Sequence, residues 1–175
     1  QRASLNEPAG FCVQRRFVFE LVPRQELQEE VMCRSDFCRE EAGTLDFAAL
    51  AKFWSSERGR LLRAQPHNLI HRELPFTARF SPADLAELSP TIPAKLPPEE
   101  FVVVQGVADL AVILPSEIWL LDFKTDHFAA AELDAKRAEH GPQLRLYAAA
   151  LSRIYGRPVT RRWLHFLALN RTCDV

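Results

Sequence analysis

The chain has 175 residues, 47% of them hydrophobic, with a net charge of −1 and four cysteines. That is enough apolar material for one domain with a real core, or a domain plus a helical appendage, and the charge is too balanced for a strongly basic nucleic-acid binder. No apolar run reaches the roughly 20 residues of a membrane span, residues 1–10 lack a signal-peptide pattern, and Cys12, Cys33, Cys38 and Cys173 have neither C-x-x-C spacing nor the density of a disulfide scaffold. A soluble, cytoplasmic chain with reduced thiols is expected, and the irregular cysteine spacing argues against an iron–sulfur cluster.

The first half reads as helical. Segments 25–33, 35–42 and 46–63 carry apolar residues at mixed three and four spacing, as in Phe47, Leu50, Phe53, Trp54 and Leu61, and Thr44 or Asp46 could cap the longest. Residues 68–80 read as a strand with Ile70, Arg72, Leu74 and Phe76 on one side and His71 and Glu73 on the other; Pro75 places it at an edge or a bulge. Residues 89–98 hold four prolines and read as loop.

A β-hairpin is expected next. Its arms, 101–114 and 117–125, are rich in Val, Ile, Leu, Trp and Phe, and Pro115-Ser116 marks the reversal. A turn centred there sets Leu114 opposite Glu117, Ile113 opposite Ile118, Ala111 opposite Leu120, and Asp109 opposite Asp122. Asp122 and Lys124, two apart, share a side, with Lys124 diagonal to Asp109. Two facing carboxylates repel, and one lysine offsets only part of that repulsion. A hard divalent cation would offset it, since such ions take carboxylate oxygens and leave room for water and phosphate. The trio therefore points to metal-dependent phosphodiester chemistry; read blandly, it is a pair of solvated hairpin acids with a surface counter-ion, which the apolar neighbours Val107, Ala111, Ile118 and Leu120 disfavour.

Beyond the hairpin, Asp126 is expected to cap a helix over 128–139. Gly141-Pro142 is expected to break it, and a second helix begins near Gln143 with Leu144, Tyr147, Ala148, Leu151 and Ile154 on one stripe. Gln143 and Tyr147, four apart, share an edge of that stripe. Gly156-Arg157-Pro158 ends it, and 161–169 alternates as a further strand. Helices, strand, hairpin, helix and strand in this order make a mixed α/β sheet with helices on its faces. Basic clusters at Arg15-Arg16, 58–63 and 157–162 read, singly, as solvated faces.

Gly-x-x-Asp, a turn, hydrophobic-Asp-x-Lys-Thr-Asp, then Gln-x-x-x-Tyr on a helix resembles the PD-(D/E)XK nuclease superfamily in its RecB-like branch. More narrowly it is similar to the C-terminal nuclease domain of AddA-type, exonuclease V-like helicase-nuclease subunits. The likeness runs from about Ala42 to the C-terminus, because residues 53–60 (Phe-Trp-Ser-Ser-Glu-Arg-Gly-Arg) and 72–77 (Arg-Glu-Leu-Pro-Phe-Thr) also look like segments that precede the hairpin there. It implies a restriction-endonuclease-like fold, with residues 67–175 as the nuclease core and 1–66 as a helical segment packed on it. It further implies Asp109, Asp122 and the carbonyl of Phe123 as ligands of Mg²⁺ or Mn²⁺, Lys124 as the catalytic lysine, Gln143 and Tyr147 as residues orienting the site or the strand, and Glu73 as an acidic neighbour. The implied chemistry is hydrolysis of DNA by a metal-activated water, in a machine that resects double-strand breaks for recombinational repair with an AddB-type partner subunit.

Two features depart from that pattern. The branch usually opens with Gly-Thr-x-x-His, whose histidine completes the metal shell. Here Gly43-Thr44 is followed by Leu-Asp-Phe, and residues 10–22 contain no such segment. His71, on the same presumed strand face as Glu73, could substitute; read blandly, it is an incidental surface or core histidine, which is the preferred reading. No G-x-x-x-x-G-K-[ST] phosphate loop occurs, so this chain has no ATP site of that class and the resemblance implies a motor in a separate N-terminal portion. A nuclease-like module kept for DNA binding or subunit docking is the alternative, as is an RNA-directed or restriction-type nuclease on the same fold.

Overall fold

A computed structural model describes residues 47–88, 97 and 100–175. The helices expected over 25–33 and 35–42, the caps Thr44 and Asp46, three of the four cysteines and nearly all of the 89–98 loop lie outside the described residues. Cys173 is a free, half-buried thiol.

The expected long helix over 46–63 is instead two, α1 (Phe47–Ser55) and α2 (Glu57–Arg63). Ser56 makes the break: its side chain accepts the amide of Gly59 at 3.1 Å, an N-cap that starts a new helix. Gly59 is required at this corner, because a Cβ would lie 2.3 Å from the carbonyl oxygen of Phe53. A short 3₁₀ turn, His67–Leu69, leads into β1 (Ile70–Phe80), followed by a helix that the sequence reading missed, α3 (Pro82–Leu88). Ser81 and Asp84 fix that helix start reciprocally, Ser81 donating to the carboxylate and its hydroxyl accepting the Asp84 amide.

Strands β2 (Val102–Ile113) and β3 (Ile118–Lys124) form the expected hairpin, closed by the Leu114 amide on the Glu117 carbonyl at 2.9 Å. The register is the expected one: Ile113 faces Ile118, Ala111 faces Leu120 and Leu110 faces Leu121. A second 3₁₀ turn, Ala130–Glu132, precedes α4 (Leu133–Tyr155), which runs unbroken through Gly141-Pro142. Proline removes one helical hydrogen bond at a cost of about 3 kcal/mol. Burial of Leu144, Ala148, Ala150 and Leu151 against the sheet holds the helix together across that gap. Ile154, expected on the same stripe, is exposed instead. Gly156 ends α4 in the left-handed conformation, φ 63°. The expected strand over 161–169 is two strands, β4 (Val159–Phe166) and β5 (Arg171–Asp174), reversed around Asn170 at φ 48°.

The sheet order is β1-β2-β3-β4-β5, with β3 and β4 parallel and the other neighbours antiparallel. This is the mixed α/β sheet the sequence implied. Pro75 sits on β1, an edge strand, where a missing amide is tolerated. One face packs on α4 and α3 through Phe76, Phe80, Leu85, Ala111, Ile118, Leu120, Leu144 and Leu151. The other packs on α1 and α2 through Phe53, Leu62, Leu110, Val112, Trp119, Leu121 and Trp163. Phe53 is fully buried and alone contributes roughly 1.5–3 kcal/mol, which ties the α1–α2 corner to the sheet. Among the described residues no helix is long and apolar enough to cross a membrane.

Candidate active site

Residues two apart on a strand share a face, yet Ile70 packs in the α1–α2 layer whereas Phe76, of the same parity, packs in the α4 layer. Strand β2 turns over with it: Val102, Val104 and Ala108 lie toward α4, but Leu110 and Val112 lie toward α1 and α2. The crossover falls at one level. Arg72 faces Leu110 and Leu74 faces Ala108, and between these pairs Glu73 and Asp109 make no ladder pair. Glu73 has φ 46°, a conformation that costs a non-glycine residue about 1–3 kcal/mol. The expectation of one continuous face for Ile70, Arg72, Leu74 and Phe76 is corrected here: a reversed backbone at Glu73 swaps the faces.

The β2–β3 ladder also ends at this level, with Leu110 and Leu121 as its last pair. Asp109 and Asp122 stand opposite each other in register without completing a rung. The Asp109 carboxylate (Oδ2) instead accepts the amide of Phe123 at 2.8 Å. The strands splay beyond this point, and a cleft of about 460 Å³ opens between them, lined by Glu73, Gln105, Gly106, Val107, Asp109, Asp122, Phe123, Lys124, Gln143 and Tyr147. Seven residues expected at the site, Glu73, Asp109, Asp122, Phe123, Lys124, Gln143 and Tyr147, line it, and Gln105, Gly106 and Val107 complete the lining. His71 faces Ala111 and lies outside the cleft lining.

Within the cleft a short polar chain runs from sheet to helix. Asp122 Oδ2 lies 2.9 Å from Lys124 Nζ, both side chains being buried. Lys124 Nζ donates to Gln143 Oε1 at 3.1 Å, and Gln143 Nε2 donates to the Tyr147 hydroxyl at 3.1 Å. The four-residue spacing of Gln143 and Tyr147 on α4 makes that last contact possible. Tyr147 packs edge-on against Phe76, with ring centroids 4.8 Å apart. Gly106 leaves room for both rings, since a Cβ there would come within 2.7 Å of Phe76 and 3.0 Å of Tyr147.

Burial pushes the Asp109 carboxyl up from 3.8 to about 7, reinforced by the charge of Asp122 and to a lesser degree Glu73, and opposed by the Phe123 amide and Lys124. Burial raises Asp122 as well, against the pull of Lys124 and His140. Asp122 Oδ2 accepts no hydrogen bond of good geometry, although the ammonium is close. These are two carboxylates whose surroundings penalise negative charge. Among the described residues no three His, Cys, Asp or Glu side chains converge tightly enough to hold a metal ion by themselves. A cation here would need backbone, water or phosphate oxygens beside the two acids.

Asp126 is not the helix cap expected from its position. Its carboxylate lies 3.2 Å from His140 Nε2 and 3.9 Å from Lys136 Nζ, while Glu132 supplies the capping contact to the Ala129 amide. His140, which the sequence reading passed over, is held there by Asp126 and lies near enough to Asp122 to favour its charged form. Its position three before Gln143 on α4 was the available signal.

A family model for the PD-(D/E)XK nuclease superfamily matches residues 12–171. Curated relatives that carry the name of an ATP-dependent helicase/nuclease include one from Moorella thermoacetica, 34% identical over 81% of this chain and 10% of its own length. Others come from Lacticaseibacillus casei, 31% identical over 85% of the chain and 11% of the relative, and Clostridium kluyveri, 26% over 86% and 12%. All three are named as one subunit of such a machine. The chain thus spans about a tenth of the length of the curated relatives it matches.

Proposed function

The chain belongs to the PD-(D/E)XK nuclease superfamily, and from that premise we propose that it is the metal-dependent deoxyribonuclease portion of a longer ATP-dependent helicase-nuclease, acting as an exonuclease in double-strand break resection. The single observation supporting this reading is the convergence of Asp109, Asp122, Lys124, Gln143 and Tyr147 on one cleft. A helicase portion of the same polypeptide, an AddB-type partner subunit, DNA as substrate and a cytoplasmic location complete the proposal. Residues 67–175 form the nuclease core on this reading, and the described part of the preceding segment, 47–66, packs on it through Phe53 and Leu62.

The two acids fit a hard divalent cation, Mg²⁺ or Mn²⁺. Burial pushes both carboxylates above their ordinary range, and the Lys124 ammonium, 2.9 Å from Asp122 Oδ2, offsets only part of their charge. The Phe123 carbonyl is the proposed third ligand. A bound cation would supply Lewis-acid charge at a phosphoryl oxygen of the scissile bond. Lys124, held from two sides by Asp122 and Gln143, keeps a fixed ammonium in the cleft, where it orients the attacking water and stabilises charge building on the phosphate. Gln143 positions Lys124, and Tyr147 positions Gln143 from one turn further along α4. Glu73 is the acidic neighbour on this reading, its charge adding slightly to the pressure that raises Asp109.

A titration of DNA cleavage with Mg²⁺ and Mn²⁺ tests the proposal, run on wild type beside Asp122→Ala and Lys124→Ala. Wild type is expected to cut only with metal, and each variant to lose about 10²–10³-fold. Cleavage that survives both substitutions sinks the reading. Metal-dependent DNA binding without turnover would support the alternative, a docking module, which the position of His71 outside the cleft favours.

A further inference from the structure

The half of the β1–β2 ribbon beyond Glu73 and Asp109 has one face on α4 and, among the described residues, one face uncovered. Phe76, Ala78, Phe80, Val102 and Val104 pack inward. Pro75, Thr77, Arg79, Phe101, Val103 and Gln105 point outward and are exposed. The helices α1 and α2 cover only the other half of the sheet on that side, through Ile70, Leu110 and Val112. Phe101 and Val103, at 48% and 52% exposure, are two of the most exposed large apolar side chains described. None of the six outward residues is acidic.

The strip is continuous with the cleft. Gln105 lines the cleft, hydrogen-bonds Thr77 across the ribbon at 3.4 Å, and begins a row that continues through Val103 to Phe101. Four residues of strand make that row about 13 Å long. At its far end the Arg79 guanidinium lies 3.8 Å over the Phe101 ring. A flat cation on an aromatic face offers stacking to a base and charge to a phosphate, the combination by which proteins hold single-stranded nucleic acid without reading its sequence.

We propose that the outward face of this ribbon, Thr77, Arg79, Phe101, Val103 and Gln105, is the track along which a single DNA strand reaches the cleft. The inference rests on the nuclease reading for the direction of the track, and on the ribbon itself for its existence. Continuity with the cleft and the lack of a carboxylate among the six outward residues, Glu100 lying just past the end of the row, favour a polyanion over an acidic protein segment, and the exposed ring favours bases over a bare phosphate.

The test uses the full 175-residue chain with Phe101→Ala, Arg79→Ala and Thr77→Glu. Fluorescence anisotropy with a labelled oligothymidylate in Ca²⁺ reads the strip, and Mn²⁺-dependent hydrolysis of bis(p-nitrophenyl) phosphate reads the cleft. Phe101→Ala and Arg79→Ala are each expected to weaken oligonucleotide binding by about tenfold, Thr77→Glu to weaken it at least as much, and Phe101→Trp to restore it. The loss on the oligonucleotide should exceed any loss on the small ester by the same factor. Equal losses on both substrates, or binding unchanged in all three variants, would overturn the track. If wild type hydrolyses neither substrate, the nuclease reading fails while the anisotropy still decides whether the strip binds DNA.

Discussion

Residues 110–113 and 102–109 belong to one strand but live under different constraints. Leu110, Ala111 and Val112 are paired on both sides, to β1 and to β3, Ile113 is paired to β3 alone, and all four are buried between the two layers. Of the remainder, 102–108 pair only with β1 and all but the buried Ala108 are partly or fully exposed, while Gln105, Gly106, Val107 and Asp109 form a wall of the cleft. The boundary is the level of Glu73 and Asp109, where both ladders lapse. Residues buried on both faces of the sheet, as 110–113 are, leave a charge no solvated position. A strand released on one side can turn an acid inward, as Asp109 does toward the Phe123 amide. The comparison predicts that substitutions in the two halves have separable consequences, stability on one side of the boundary and chemistry on the other.

The largest expected effect lies on the core side. Leu121, fully buried opposite Leu110, should cost about 2–5 kcal/mol when cut to alanine. Chemical denaturation measures that loss, and cleavage assayed well below the new Tm should stay near wild type. A Leu121→Ala protein that is folded yet inactive would break the comparison, because the core half would then be part of the machinery.

The next effect belongs to the acids. Asp109 is pushed up to about 7 in the folded chain, so between its ordinary 3.8 and that value the folded state holds a proton that the unfolded state has released. Stability from this group is therefore present below about pH 4 and lost as pH rises toward 7. Thermal melts in chelator should show that decline in wild type and a flatter profile in Asp109→Asn, whose carboxamide oxygen can still accept the Phe123 amide. Adding Mn²⁺ should raise the wild-type Tm more near neutral pH than in mild acid. Identical profiles for wild type and Asp109→Asn would remove the electrostatic half of the comparison.

Much of this boundary was legible in the sequence, and the rest was not for physical reasons. Hairpin register follows from the turn at Pro115-Ser116 and from alternation, both local properties, so Leu110–Leu121 and the facing of Asp109 and Asp122 could be written down beforehand. Gln143 and Tyr147 were legible through helical spacing. The face swap at Glu73 was not, because a glutamate at positive φ carries no compositional mark, whereas a glycine would have. The continuity of α4 through Pro142 was hidden for another reason: the burial of Leu144 and Leu151 that overrides the proline is a tertiary effect. Asp126 looked like a cap because its partner His140 lies far along α4.

Gly106 sharpens the comparison from the cleft side. A methyl group there would press on the Phe76 and Tyr147 rings, whose nearest atoms lie 2.7 and 3.0 Å from where it would sit. Overpacking of this kind costs about 1–3 kcal/mol. Tyr147 is the ring with freedom to yield toward the cleft, and its movement would disturb Gln143 and through it Lys124. Gly106→Ala is thus expected to lower kcat more than it raises KM, a split that steady-state kinetics on a short oligonucleotide would resolve. A purely structural glycine would lower Tm and leave both constants alone.

The smallest effect tests the boundary itself. If the reversed backbone at Glu73 is imposed by the sheet around it, then the side chain and the conformation can be separated by two substitutions. Glu73→Ala removes the carboxylate and keeps the φ 46° strain, whereas Glu73→Gly removes both. Glycine should therefore be the more stable of the two by roughly 1 kcal/mol, despite its greater freedom when unfolded, because the relief of strain exceeds that entropic cost. Both variants lose the same acid beside Asp109, so a difference between them in cleavage reports the geometry of the crossover and a shared deficit reports the carboxylate. Equal stability of the two would mean that the backbone at 73 relaxes once glutamate is gone. The face swap would then be held by the side chain and not by the strands.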